Sequence, residues 1–483
     1  MKDIYTHTMK LLIWIDNPAF DFFHDQAIEV AHEALRFERA LSTSMDDAKL
    51  FDSFGLELFS EKFLEDALLS MAVLSQHPWF ERAWIVQEVV CAPNTPTYLF
   101  GFRRLSWKAL ISLSEFCDAF SDHHRIGLRQ ELLDISFGNL GILGEVSEFC
   151  HIATDEKKLL EIGQPGRPNT TAGKLNMLLE MTGGAFKASD PRDVLYALLG
   201  LLGMDDIPEE LLPDYGLPVS QVFERYTVYL VEYAKYIGFL DTCTKQMSDA
   251  PSWVPDWTSR RLGYLDGAKP SRVCPLNVSI LIDRRTLLVE GVMLDKVVSV
   301  IFPTNDDASM TDHEINKDKA SATSISEAYR LLKQGCLKAW VESYPGKTYR
   351  TFESHWIRLW APISKEWLDL DLFEFMEGEK DPGMGETERQ FKVSKVRDVM
   401  KRICTTGLAI LAGEGLADIL QVDKTLREGD IMCMMKGLKI PCMLRPEGEN
   451  FQFVSTCGRT SFQVYDPDED FYRAAALKTF ALV

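Results

Sequence analysis

The stretch Pro78-Trp79-Phe80-Glu81-Arg82-Ala83-Trp84-Ile85-Val86-Gln87-Glu88 leaves its backbone little choice. Pro78 suits the first position of a helix, and Glu81 falls in the first turn, where the helix dipole favours negative charge. At about 100° per residue, Ile85, Val86, Val89 and Val90 share one arc, the expected core face. Gln87, Trp84, Glu88 and Glu81 lie opposite, with Trp84 and Glu88 neighbours at a spacing of four. Arg82 points into the apolar arc, where a charge needs a partner or an escape to water. A large aromatic beside two acids, and an arginine among valines, break the amphipathic pattern; such breaks mark sites of function or strain. The packing alternative has another segment covering Trp84 and Arg82 snorkelling from the first turn.

A second stretch constrains the chain as strongly: Ser189-Asp190-Pro191-Arg192-Asp193-Val194-Leu195-Tyr196-Ala197-Leu198-Leu199-Gly200. Asp190 reads as an N-cap, Pro191 as the first helical residue and Asp193 as the acid that completes a capping-box-like start. Val194–Leu202 is apolar all round, so this short helix is expected to be buried. Arg192 sits near the positive end of the helix dipole and calls for a carboxylate or phosphate partner. An ion pair with Asp214 or Glu88 is one solution, and a bound ligand is the other.

Length and charge narrow the function. At 483 residues, two or three domains are expected. A net charge of −20 argues against a general nucleic-acid or anionic-membrane binder, which needs a positive footprint. The ten cysteines are scattered without a C-x-x-C pair and read as reduced, mostly buried thiols. No metal site is expected: His123 and His124 are adjacent, so on a helix they point apart, and no third ligand is spaced nearby. Leu11–Ile15 is too short for a signal peptide and ends at Asp16, and no stretch reaches the ~20 apolar residues of a membrane span. A cytoplasmic protein is the expectation. Gly163 to Lys174 is glycine-rich but fails the phosphate-loop spacing, with Leu175 where Ser or Thr would bind magnesium. It is expected to be a loop before a helix at Leu175–Leu179.

Along the chain, Leu11–Ile15 reads as a buried strand, and 23–44 and 56–74 as amphipathic helices. After the Arg82–Glu88 helix come a strand at 95–100 and another helix opened by Leu105-Ser106-Trp107. Residues 108–182 read as mainly helical, and Ser220–Ala234 as an amphipathic helix. Beyond 260 strands appear: a hairpin at Val278–Ile282 and Thr286–Val289, then a β-meander from Gly429 to Val454 with turns at Lys436-Gly437 and Glu447-Gly448. A polar loop at 304–325 and helices at about 325–343, 354–376 and 388–403 lie between them.

These blocks together carry a resemblance. Arg82-Ala83-Trp84-Ile85-Val86-Gln87-Glu88 is similar to the R-A-W-T-x-Q-E signature of the fungal heterokaryon-incompatibility (HET) domain family. Asp190–Gly200 resembles the family's D-P-R-D-x-x-Y-A-L-L-G element. Pro213-Asp214-Tyr215 with Val222-Phe223 resembles P-D-Y…V-F, and Pro251–Trp257 resembles P-S-W-V-P-D-W. Leu288–Val297 and the G-D-x-x…P-x-x-L-R pattern at Gly429–Arg445 are similar to segments that follow the family's core. Met1–Ile4-Tyr5 and Leu11–Ile15 resemble the middle of the domain, while its earlier L-S-Y-x-W-G and I-D-x-x-C-I-N-Q blocks are absent. The domain is therefore expected to begin part-way through, either as a truncated copy or because the start codon lies upstream.

The resemblance implies an α/β fold: a truncated Toll/interleukin-1-receptor (TIR)-like core at 1–107, a helical extension at 108–260, and a mixed helix and β-meander region at 261–483. It implies a role in nonself recognition and programmed cell death, through protein partners or self-association. The Trp84–Glu88 spacing is similar to the W-x-x-x-E of TIR domains, some of which cleave NAD. By that analogy NAD is a substrate, Glu88 the catalytic acid near the ribose, Trp84 a pocket wall, and Arg82 or Arg192 a phosphate partner. Gln87 and Asp193 are counted with them as site-shaping residues. The missing first strand would supply half of such a pocket, which favours a signalling or regulatory protein. A degenerate copy without an effector role is the third possibility.

Overall fold

The computed structural model describes residues 7, 11–15, 77–92, 96–100, 103–111, 138–152, 170–202, 207–235, 237–242, 247–259, 279–281, 285–301, 322–344, 407–412, 419–422, 425–438, 440–456 and 477–483. The expected helices at 23–44, 56–74, 354–376 and 388–403, and His123-His124, lie outside these residues. The chain divides into two compact units, residues 1–234 with 257–261, and residues 235–256 with 262–483. Helices and mixed sheets together give the α/β class expected.

The first unit opens with β1 (Leu12–Ile15), a 3₁₀ turn (Pro78–Glu81), α1 (Ile85–Val90), β2 (Thr97–Phe100) and β3 (Arg103–Ser106). α2 (Gly138–Ile152), α3 (Thr171–Thr182), α4 (Asp193–Leu199) and α5 (Val219–Tyr229) follow, and α5 runs into a single π turn, Leu230–Ala234. β1 pairs parallel with β2 from Leu12↔Thr97 to Ile15↔Phe100, and β3 returns antiparallel. Tyr98 is buried in the middle strand, stacked 6.0 Å from Phe80 and 5.7 Å from Trp107, with Trp79 edge-on. These rings tie the 3₁₀ turn to the sheet.

Three local expectations change. Pro78–Val90 is two pieces rather than one helix: the 3₁₀ turn ends at Arg82, which is extended (φ −78°, ψ 132°). Its backbone bridges to Lys187, and the Ala83 N–H donates to the Lys187 carbonyl at 2.9 Å. The bridge supplies the hydrogen bond that helix propagation would have supplied, so tertiary pairing overrides the local pattern. Likewise Gly173 and Lys174 belong to the first turn of α3 rather than to a loop, because the Thr170 hydroxyl caps the helix by accepting from the Gly173 N–H at 3.1 Å. Leu105 and Ser106 end β3; the helix they were expected to open begins at Trp107, with Ser106 Oγ accepting from Ala109 N–H.

The second unit contains β4 (Ser279–Leu281), the long β5 (Thr286–Ile301), α6 (Ala322–Ser343), β6 (Gly407–Leu411), β7 (Ile419–Val422), β8 (Ile431–Met435), β9 (Cys442–Glu447), β10 (Asn450–Thr456) and β11 (Lys478–Leu482). The hairpin β4–β5 and the meander β8–β9–β10 stand where the sequence places them. The polar loop expected at 304–325 is described only from 322, where α6 has begun. β11 pairs with both β10 and β5, closing a ring of five strands, β5-β8-β9-β10-β11. Gly291 lets β8 pair closely alongside β5: a Cβ there would stand 2.7 Å from the Met434 carbonyl oxygen. Asp430, its side chain 2% exposed, anchors the meander by accepting from Arg445 Nε at 2.9 Å and Nη2 at 2.8 Å and from the Arg427 N–H at 2.8 Å. Ser252 and Trp253 also pack inside this unit: the Ser252 N–H donates to the Val483 carbonyl, and Trp253 Nε1 to that of Arg285. The cysteines described in the second unit, Cys336, Cys433 and Cys442, are buried and form no disulfide.

Candidate functional site

The two stretches that frame the sequence meet in the first unit, α1 against α4. Trp84 is the N-cap residue of α1, and its indole Nε1 donates to Asp193 Oδ2, in the first turn of α4, at 3.1 Å. Three residues on, Gln87 Nε2 donates to the Ala197 carbonyl at 2.7 Å. That oxygen is one of the last four in α4, which have no partner inside the helix. Gln87 is buried, 3% exposed, instead of lying on the polar face the periodicity assigned to it. Its amide fits there because residue 200 is glycine: a Cβ on Gly200 would meet Gln87 Cδ and Nε2 at 2.4 Å. So Trp84 holds the start of α4 and Gln87 its end.

The start of α4 is built differently from the capping box expected. The helix begins at Asp193, and the Asp190 side chain caps none of its N–H groups; its Oδ1 accepts from the Arg192 N–H at 3.0 Å in an Asx turn, while its backbone carbonyl accepts from the Asp193 N–H at 3.0 Å. Arg192 pairs neither with Asp214 nor with Glu88. Its Nε and Nη2 grip both oxygens of Asp190 at 2.8 and 2.6 Å, and Nη1 donates to the carbonyls of Tyr215 and Leu217 at 2.8 and 2.6 Å. The nearest carboxylate wins because the turn presents it in bidentate geometry, and two loop carbonyls take the remaining fork. The Arg192 hydrogen bonds hold the Asp190 carboxyl below its usual range.

Tyr215 is the participant that residue spacing did not single out. Its hydroxyl donates to Asp193 Oδ1 at 2.6 Å, so Asp193 takes the Trp84 indole on one oxygen and the Tyr215 phenol on the other. The Arg192 guanidinium carbon lies 5.1 Å from the Tyr215 ring centroid, and the Tyr196 ring meets it edge-on at 5.2 Å. The Pro213-Asp214-Tyr215 block contained the signal; its spacing from Asp193 did not.

Arg82 and Glu88 stand at the outer side. The Arg82 side chain is 56% exposed, turned outward by its extended backbone rather than held in the apolar arc. Its Nη2 lies 3.9 Å from Glu88 Oε1, and the Glu88 side chain is 13% exposed. Burial raises the Tyr98 phenol well above its ordinary range, and the Glu88 charge adds to the effect. An apolar cavity of about 10 Å³, room for roughly one water, lies between Ala83, Val86, Phe186, Leu198 and Trp257. No helix among the described residues is long and apolar enough to cross a membrane.

The comparisons with known proteins agree with the resemblance in part. The chain is similar to heterokaryon incompatibility protein 6, OR allele, of Neurospora crassa, at 22% identity over 301 residues. That alignment covers 54% of this chain and 42% of the relative, so less than half of the Neurospora protein is represented. No family model matches the chain. No solved structure matches it.

Proposed function

We propose that this chain is a heterokaryon-incompatibility-type signalling or regulatory protein of the cytoplasm that acts in nonself recognition through association with protein partners. Its first unit is read as a TIR-like core, a reading supported by the parallel β1–β2 pair, which requires a crossover connection. The distant similarity to the Neurospora protein supports the family-level role. The observation that carries the mechanism is the double clasp of α1 on α4. The Trp84 indole N–H and the Gln87 amide N–H are spent on Asp193 and Ala197, and the Arg192 guanidinium on Asp190 and two carbonyls, while Gln87 Oε1 is buried without a partner. Donors so committed tie α1 to α4 and are not open to a small ligand.

One observation favours a second reading, an NAD glycohydrolase. Glu88 is a mostly covered carboxylate whose companions are the loosely held Arg82 and the Tyr98 ring, an arrangement that suits an acid beside a sugar. Overexpressing the chain in a filamentous fungus, with viability and cellular NAD followed together, tests both. Death without NAD loss, abolished by Asp193→Asn, is the expected result. NAD loss that disappears in Glu88→Gln replaces the first reading with the second. Neither death nor NAD loss identifies a degenerate copy and overturns both.

A further inference from the structure

Seven large apolar side chains among the described residues are strongly exposed, and only two stand close together in the sequence: Leu212 at 47% and Tyr215 at 52%. Three residues apart, their Cα atoms lie within about 11 Å of one another. Both belong to the loop between Ile207 and Pro218, which is exposed yet held at four carbonyls by side chains of the helices beneath. Tyr226 Oη donates to the Leu211 carbonyl at 2.7 Å, and Tyr196 Oη to that of Asp214 at 3.2 Å. Arg192 takes the carbonyls of Tyr215 and Leu217, and Asp193 holds the Tyr215 hydroxyl. The loop is thus fixed before any partner arrives, which removes the ordering cost that weakens binding by mobile loops.

The exposed Leu212 side chain and the half-exposed ring of Tyr215, its hydroxyl already held by Asp193, are the anchors of a recognition surface. Around them stand Glu209, Glu210 and Asp214, all exposed. A second copy of this chain, with a net charge of −20, would be repelled from this face. We infer that the 207–218 loop is a docking surface for a basic, apolar-bearing segment of a different protein, its Lys and Arg side chains meeting Glu209, Glu210 and Asp214 while an aliphatic or aromatic side chain packs on Leu212 and Tyr215. The inference rests on the association reading above and names the partner's chemistry.

The probe is a fluorescent Lys/Leu amphipathic peptide, compared with its Glu/Leu counterpart of identical spacing, on the full chain by anisotropy. The expected result is binding of the Lys/Leu peptide only, weakened by salt, about tenfold weaker on Leu212→Ser and weaker again on Glu209→Lys/Glu210→Lys. The side chains changed take no part in the hydrogen bonds from Tyr226, Tyr196 and Arg192 that hold the loop, and circular dichroism checks that the variants fold. Binding indifferent to Leu212 is plain charge attraction and overturns the proposal, as does equal binding of the Glu/Leu peptide or no binding. Killing that stays intact in Leu212→Ser, although that variant no longer binds the peptide, shows that association does not use this face and overturns the docking proposal while leaving the association reading. Killing that tracks NAD loss while the peptide still binds sinks the association reading alone.

Discussion

Gly200→Ala separates two physical effects by sign. Gly200 has ordinary helical dihedrals (φ −63°, ψ −19°), so alanine fits its backbone. Propensity and unfolded-state entropy then predict stabilisation by up to about 1 kcal/mol. The contact with Gln87 predicts the opposite, since the new Cβ would stand 2.4 Å from Gln87 Cδ and Nε2 and 2.7 Å from Oε1. A surface glutamine would swing away at little cost. This one is buried and donates to the Ala197 carbonyl at 2.7 Å, so moving it breaks that bond and strands a buried amide. Overpacking costs about 1–3 kcal/mol and an unpaired buried polar group a similar amount. After the propensity gain, a net loss of about 1–3 kcal/mol is expected, because the two penalties share one displacement. Melting temperature is a blunt readout in a chain with two compact units. Hydrogen exchange of the α4 amides reads the local opening free energy directly, and protection there should fall. In a Gln87→Ala background the obstacle is gone, so Gly200→Ala should be neutral or stabilising, a coupling of at least about 1 kcal/mol. Unchanged or raised protection in the single variant, or an equal loss in both backgrounds, refutes the clasp.

In the second unit, Arg445→Leu removes two of the three donors to a carboxylate that is 2% exposed and should cost about 3–5 kcal/mol, read as faster exchange of the β8 and β9 amides. Asp430→Asn added to that variant should recover part of the loss by removing the stranded charge; no recovery would locate the damage in packing. The Asp190 carboxyl is lowered by its Arg192 hydrogen bonds, so the pair stabilises the fold above the unfolded value of about 4. That contribution disappears as the pH falls through the lowered folded value. Asp190→Asn should therefore flatten the acid limb of α4 amide protection below about pH 4 and leave its slope near neutrality unchanged.

What the sequence makes readable here is local, and what it hides is paired at a distance. The run Leu195–Leu199 is apolar on every side, and it is buried. The meander is legible because its turns carry their own signals: Gly437 and Gly448 take φ values of 100° and 65°, which other residues adopt only under strain. Arg82 illustrates the opposite case. Nothing within the stretch announces that its backbone bridges to Lys187, so periodicity extends the helix through it and sends the side chain to the wrong side. Gln87 looks like surface by its angle, and only the orphaned carbonyls at the end of α4 explain its burial. β11 closes the ring of the second unit against β10 and β5, and a five-residue strand at that distance has no signature beyond its alternation.

The pairing of Trp84 with Glu88 shows why a motif spacing cannot by itself assign chemistry. A separation of four puts two side chains on one helix face whether the face is packed or catalytic. Here the two residues part company: Trp84 is the N-cap residue of α1 and commits its indole N–H to Asp193, while the Glu88 carboxylate lies 3.9 Å from the exposed Arg82 guanidinium and acts on the Tyr98 phenol. The tryptophan is accounted for by the architecture, since without it the first turn of α4 and the Tyr215 hydroxyl would share a carboxylate anchored from one side only. The glutamate is not accounted for in that way. The spacing between the two is therefore a by-product of the turn on which both must sit.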